Sequence, residues 1–187
     1  MLLFCVWVLG LILGSGSVLA AEIPTGFQSV KWGAAISDLQ AAHPDAKCSA
    51  SRRTAISDSS CYIDSIAVAG ARGNILFFFY SEPSDPKALG FGAYSISFKA
   101  DDFNKVRAAF VERYGEAHKT EEEEVKSKGG LNLTNSILSW SWPEVNARLA
   151  RYAGRIDRSM IRVRTAASDV EFLRRSDEEK KRGAKDF

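Results

Sequence analysis

The sequence predicts an α+β fold in which an antiparallel sheet carries helices packed on one face. Three observations predict it. In residues 94–99, Tyr94, Ile96 and Phe98 alternate with Ser95, Ser97 and Lys99, the period-two pattern of a strand with one apolar face. Two residues on, Asp101 is placed to cap a helix whose Phe103, Val106, Phe110 and Tyr114 fall along one stripe, and Gly115 stands where a C-cap glycine belongs. The strand-like runs before Tyr94 are joined by segments that do not readily hold helices, which favours antiparallel pairing.

Residues 1–20 differ in kind from the rest. They contain no charged side chain, and an apolar run broken only by Gly10 is followed by Gly14, Ser15, Gly16 and Ser17 and then Val18-Leu19-Ala20. This fits a signal peptide cleaved after Ala20. The other reading is an uncleaved anchor, for which the apolar stretch is short against the roughly 20 residues of a span. Cys5 precedes the apolar core and is not placed as a lipoprotein cysteine. The mature chain of roughly 167 residues suits one domain. Residues 21–175 read as a single α+β domain and residues 176–187 as a charged tail that frays. No second apolar run reaches spanning length, so no transmembrane span is expected in the mature chain. Lys and Arg number 25 against 23 for Asp and Glu, a balance that makes no case for nucleic acid.

Residues 27–32, FQSVKW, read as a short strand or extended arm. Ser37-Asp38-Leu39-Gln40 has the form of a capping box, and Pro44 ends the short helix it opens, with Leu39 and Ile36 as anchors. Cys48 and Cys61 flank a polar loop. They could form a disulfide, contribute to a metal site, or supply a thiol nucleophile beside His43. Two cysteines without C-x-x-C spacing are too few ligands for a metal, and an oxidising compartment works against a free thiol. Pairing is therefore expected, and closing the loop would stabilise by roughly 3 kcal/mol.

Strands are expected over residues 62–69 and 75–80, with Gly70, Gly73 and Asn74 marking the turn between them. The run ILFFFY reads as the central strand, buried on both faces. A loop rich in Ser, Pro and Gly, residues 81–92, leads to the strand at Tyr94. After the helix, Glu121, Glu122, Glu123 and Glu124 lack the ligand alternation of a calcium loop and read as a solvated strand edge or loop. In residues 135–142, Leu138, Trp140 and Trp142 share a face opposite Ser139 and Ser141. That face is core, or a partner groove if no helix covers it. Pro143 ends the strand, and residues 147–153 and 157–165 complete the sheet. In the last strand Ile161 and Val163 face one way and Met160, Arg162 and Arg164 the other. Ser168-Asp169-Val170-Glu171 forms a second capping box, opening a helix that loses its apolar stripe after Leu173. The order of a capped helix, a polar loop and several strands occurs twice, which suggests two tandem units.

No catalytic or cofactor motif is present: no G-x-S-x-G, P-loop, H-E-x-x-H or G-x-G-x-x-G. No cofactor, metal site or catalytic residue is expected. The two histidines, His43 and His118, stand near helix ends, where the helix dipole accounts for them. The notable feature is an arginine series: Arg148, Arg151, Arg155, Arg158, Arg162 and Arg164 lie within one strand pair, opposed there only by Asp157. It reads as a solvated sheet face with Arg stems over apolar surface, or as a patch for an anionic partner such as a phosphorylated headgroup, an acidic protein or an acidic polymer.

The arrangement FQSVKWG, SDLQAAHP, the cysteine pair, FKADDFNKVRAAFVERYG and ILSWSW with ARLARYAG resembles small exported proteins of Gram-negative bacteria. Its helix-then-strands units resemble the SmpA/OmlA lipoproteins of outer-membrane assembly and the repeats of β-lactamase inhibitor protein. The resemblance implies a non-catalytic envelope protein. The chain lacks the lipid-bearing cysteine of the SmpA/OmlA type. Together these readings favour a periplasmic or secreted binding or accessory protein, meeting another envelope protein or an anionic envelope component. One alternative is an inhibitor of an extracytoplasmic enzyme, acting through the sheet face or the 81–92 loop. A second is a hydrolase with an unrecognised site.

Overall fold

The computed structural model describes residues 22–50, 57–81 and 89–183. The expected signal peptide, half of the loop between the cysteines, most of the 81–92 loop and the last four residues lie outside them. Among the described residues the chain opens with a small hairpin, β1 (Gly26–Phe27) and β2 (Val30–Lys31), where a short strand or extended arm was expected. Gly26 has a φ of +149°, and a Cβ there would meet the Val30 carbonyl oxygen at 2.0 Å, so this turn requires glycine. Next come α1 (Ile36–Ala42), β3 (Lys47–Ala50), β4 (Ser59–Val68), β5 (Ala71–Ser81) and β6 (Leu89–Lys99). A 3-10 turn (Ala100–Asp102) leads into α2 (Phe103–Tyr114). The chain ends with β7 (Lys119–Lys126), β8 (Asn132–Ser141), β9 (Val145–Ala150), β10 (Arg158–Thr165) and α3 (Ala166–Gly183).

The fold is α+β. Eight strands form one sheet in the order β3-β4-β5-β6-β10-β9-β8-β7, antiparallel throughout. Each of α1 and α2 is followed by four strands, and the two sets meet where β6 pairs with β10. The centre of the sheet is thus the β6–β10 pair and not residues 75–80. The strand β5 is nonetheless buried on both faces, with Ile75, Phe77 and Phe79 on one and Phe78 and Tyr80 on the other.

One face carries the main core. Leu39 of α1 and Phe103, Val106 and Phe110 of α2 join Phe77, Tyr94, Ile96, Trp140, Ile161 and Val163 there. Trp140 is fully buried, its ring centroid 4.7 Å from that of Phe110, and its indole N–H donates to the Gly115 carbonyl at 2.8 Å. Trp142 packs against the edge of the same core. The terminal helix α3 lies on the opposite face, which corrects the expectation of helices on one face. There Phe78, Tyr80 and Ala93 form a second apolar cluster. The Ser168 hydroxyl donates to the Gly92 carbonyl at 2.8 Å. The physical reason is the run in β5: apolar side chains on both sides of one strand leave two faces to cover.

The helix starts also differ from expectation. At α1 the Ala35 N–H donates to the Asp38 carboxylate at 2.9 Å, two residues ahead of the Ser37 start. At α2 the 3-10 turn takes the place of an Asp101 cap, and the residue at its N-cap, Asp102, makes no side-chain capping bond. At α3 the Thr165 hydroxyl accepts the Ser168 N–H at 3.2 Å, leaving the Ser168 hydroxyl for Gly92. Gly115 follows α2 with a φ of 81° and a ψ of 176°, a positive-φ conformation open to glycine but not the left-handed helical cap expected. The helix α3 continues through Gly183, past the residue-176 boundary of the expected frayed tail. Arg174 bridges Glu171 and Glu178, and Lys180 meets Asp177, at the helical spacings that favour such pairs.

Candidate functional site

Cys48 and Cys61 are direct neighbours across β3 and β4 and form a disulfide. No free thiol therefore accompanies His43, and the cysteine-nucleophile reading falls. His43 stands beside the rings of Phe27 and Phe77, with its Nε2 buried and unpartnered among the described residues. His118 is remote from it, accepting the Ser141 N–H through Nδ1 at 2.9 Å.

The six arginines divide. Arg151 lies beyond the end of β9, where strand alternation stops, and turns to the α2 side with its guanidinium 5.8 Å from the Phe103 ring centroid. Arg155 is in the following turn, held by both oxygens of Asp157 at 2.9 and 2.7 Å. Arg158 begins β10 and approaches Ser97 Oγ at 3.4 Å, in a separate depression shared with Asp64 and Asp157. Arg148, Arg162 and Arg164 remain together on the face opposite the main core. The single six-residue surface expected from the sequence is accordingly a cluster of three.

The sheet register builds this cluster. Arg162 is the Cα partner of Arg148 on one side and of Ser95 on the other, and Arg148 is the partner of Ser139. Arg164 pairs with Asn146 one step along. The carboxylates of the neighbourhood are already engaged. Asp169 of α3 accepts from Arg164 and Asn146, each at 2.9 Å, and the Arg164 guanidinium lies 4.1 Å from the centroid of Phe172. Glu121 pairs with Lys119 at 2.8 Å, and Glu123 accepts from Asn135 at 2.8 Å. Among the described residues neither Arg148 nor Arg162 forms an ion pair. Surrounding protein, and then the like charges of Arg164 and Arg148, lower the pKa of Arg162, although its side chain still reaches solvent.

Two adjoining depressions share these two arginines. One, of about 350 Å³, is lined beside the arginines by Ile137, Ala150 and Met160 and by Glu123, Asn135 and Tyr152. The other, of about 250 Å³, has Ser139, Ser141, Asn146 and Asp169. Two guanidiniums in register, neither ion-paired among the described residues and with the Ser139 and Ser141 hydroxyls in the adjoining depression, have the charge-assisted donors that suit a phosphate or carboxylate group. The strand alternation was readable for Arg148, Arg162 and Arg164. The claim of Asp169 on Arg164 was not, because it depends on the face that α3 covers.

Comparison of the chain with protein-family models, curated proteins and solved structures finds no match.

Proposed function

We propose that this chain is an exported, non-catalytic binding or accessory protein that presents the Arg148–Arg162 face to an anionic group on a partner in the bacterial envelope. The observation that carries the reading is the register pairing of two exposed arginines without a carboxylate between them. Like charges directly opposite one another destabilise a sheet, and an oxyanion between them removes the repulsion and gains charge-assisted hydrogen bonds. The serine, asparagine and tyrosine side chains around the pair suit binding, and the reading includes no nucleophile or cofactor.

Export rests on the apolar first twenty residues and on the Cys48–Cys61 bridge, which forms and persists in oxidising compartments. Among the described residues no helix is long and apolar enough to cross a membrane. A periplasmic or secreted location follows in this reading. The repeated order of one helix and four strands supports two tandem units, in keeping with the resemblance to SmpA/OmlA-type proteins and β-lactamase inhibitor protein. The test is retention of the full mature chain on phosphatidylglycerol vesicles and on an acidic polymer, each against a neutral matrix. Retention on an anionic surface that declines steeply between low and physiological salt is expected, since exposed charges are screened within about 8 Å. Equal behaviour on neutral and anionic surfaces would reject the reading.

A further inference from the structure

The N-terminal segment, residues 22–28, is a strap across the second half of α2. At one end the Glu22 N–H donates to the Arg113 carbonyl at 3.1 Å, and the Glu22 carboxylate pairs with Arg113 Nε at 2.8 Å. At the other, Phe27 is buried with its ring against Phe77 and Tyr94, at centroid distances of 5.5 and 5.1 Å. Strap, helix and the β4–β5 turn flank an open cleft of about 570 Å³, within the roughly 300–1,000 Å³ of small-molecule sites.

The cleft is amphipathic in a particular way. Val68, Val106, Ala109, Phe110 and Ile161 give it apolar walls. Its polar lining comprises Arg113, Tyr114 and Tyr94 together with Glu22, Thr25 and Gln28, and the Glu22 carboxylate is held by Arg113 Nε. Tyr94 is only 4% exposed, and no hydrogen bond joins its hydroxyl to another described residue. Burial raises its pKa far above the ordinary tyrosine value, so it stays a protonated donor, and its electrostatic coupling to Tyr114 and Arg113 sets it near both. That hydroxyl is not one of the sealed orphan atoms, which among the described residues are His43 Nε2 and Arg151 Nε. Arg113 commits only Nε to Glu22, and its guanidinium stands 5.3 Å from the Tyr114 ring centroid.

From this arrangement we infer that the cleft under the strap is a second binding site, for a single-chain amphiphile whose carboxylate meets Arg113 and the Tyr94 hydroxyl and whose tail lies along α2. The site is on the face opposite Arg148 and Arg162 and does not depend on them. A carboxylate supplies the acceptor that Tyr94 lacks and the negative charge that suits Arg113, whereas an alkylammonium supplies neither.

The test is a fluorescence titration of the full mature chain with cis-parinaric acid. Saturable one-to-one binding is expected, displaced by dodecanoate and not by dodecylamine. Tyr94→Phe, which keeps the ring, should weaken binding about fivefold or more. Ala109→Trp, which fills the cleft, should weaken it by more than tenfold while a cooperative thermal melt is retained. The Arg148→Gln/Arg162→Gln variant should bind the probe like the parent. Should Ala109→Trp fail to fold, Tyr94→Phe decides alone. The inference is overturned if the parent shows no saturable binding, if dodecylamine displaces the probe as well as dodecanoate, or if Tyr94→Phe binds with parental affinity.

Discussion

Arg175 and Asp58 stand 117 residues apart in sequence and meet in a two-pronged ion pair, with Nη1 to Oδ1 at 2.8 Å and Nη2 to Oδ2 at 2.7 Å. Asp58 also accepts the N–H and the hydroxyl of Ser81. The pair fastens α3 to the segment entering β4 and to the end of β5, on the far side of the β6–β10 centre from the strand that α3 follows. Together with the Ser168–Gly92 hydrogen bond it joins the helix to the face that carries the second apolar cluster.

This contact has a defined pH dependence. The Arg175 guanidinium, above all, together with Ser81, holds the Asp58 pKa down to about 2 from an ordinary 3.8, against an opposing effect of burial. A depressed folded-state pKa gives stability that is complete above about pH 4 and lost as pH falls through about 2. The contribution is about 2 kcal/mol. Urea unfolding at pH 5 and at pH 2.5 should therefore show a smaller loss for Asp58→Asn than for the parent. Glu171 titrates in the same range, held to about 2 chiefly by Arg174, and it shares Arg175 with Asp58, so the comparison is made in a Glu171→Gln background common to both proteins. Parallel losses in the two proteins would count against the pair.

Phe110 joins α2 to the sheet. It is 8% exposed, with ring centroids 4.7 Å from Trp140 and 4.5 Å from Tyr114. Phe110→Ala should cost about 3–5 kcal/mol, as truncation of a core aromatic does. A chemical-denaturation difference below about 1 kcal/mol would mean the ring carries little of the packing.

The Cys48–Cys61 bridge ties β3, the outer strand of the sheet, to β4. Three of the four β3 residues are exposed, so apolar packing does little to hold the strand. Replacing both cysteines by alanine should cost roughly 3 kcal/mol by the loop-closure argument. Thiol labelling of the denatured, unreduced mature chain should find neither cysteine free. Two free thiols would contradict the bridge.

Local elements were legible in the sequence wherever period and burial coincide. The alternation at Tyr94, Ile96 and Phe98, the stripe of α2, and the opposed faces of Ile161 and Arg162 could all be read directly. What lay beyond reach depends on partners distant in the chain. The pairing of β6 with β10 joins residues 93–99 to residues 158–164, and no local pattern encodes that register. The side taken by α3 depends on Phe78 and Tyr80 facing away from the main core, which a continuous apolar run hides. The arginine series misled for a related reason. Strand alternation holds for Arg148 but ends before Arg151, and Arg155 has its acid two residues away in the turn. The capping boxes at Ser37 and Ser168 were misplaced because Asp38 and Thr165 supply the end contacts instead.

Export implies removal of the first twenty residues. Intact mass of the protein recovered from the envelope fraction should correspond to a chain beginning at Ala21. A mass that includes residues 1–20 would support a retained anchor.

The central claim is that geometry, and not overall charge, makes the Arg148–Arg162 face a binding surface. Two double variants of equal charge separate the two causes. Arg148→Gln/Arg162→Gln removes the register pair, and Arg155→Gln/Arg158→Gln removes two arginines that lie outside it. Affinity for the anionic surface that retains the parent is measured for each at the same low salt, with thermal melts alongside. The account expects at least a tenfold loss for the first variant, less than about threefold for the second, and melts within a few degrees of the parent for both. Equal losses, or no loss in the first, would contradict it.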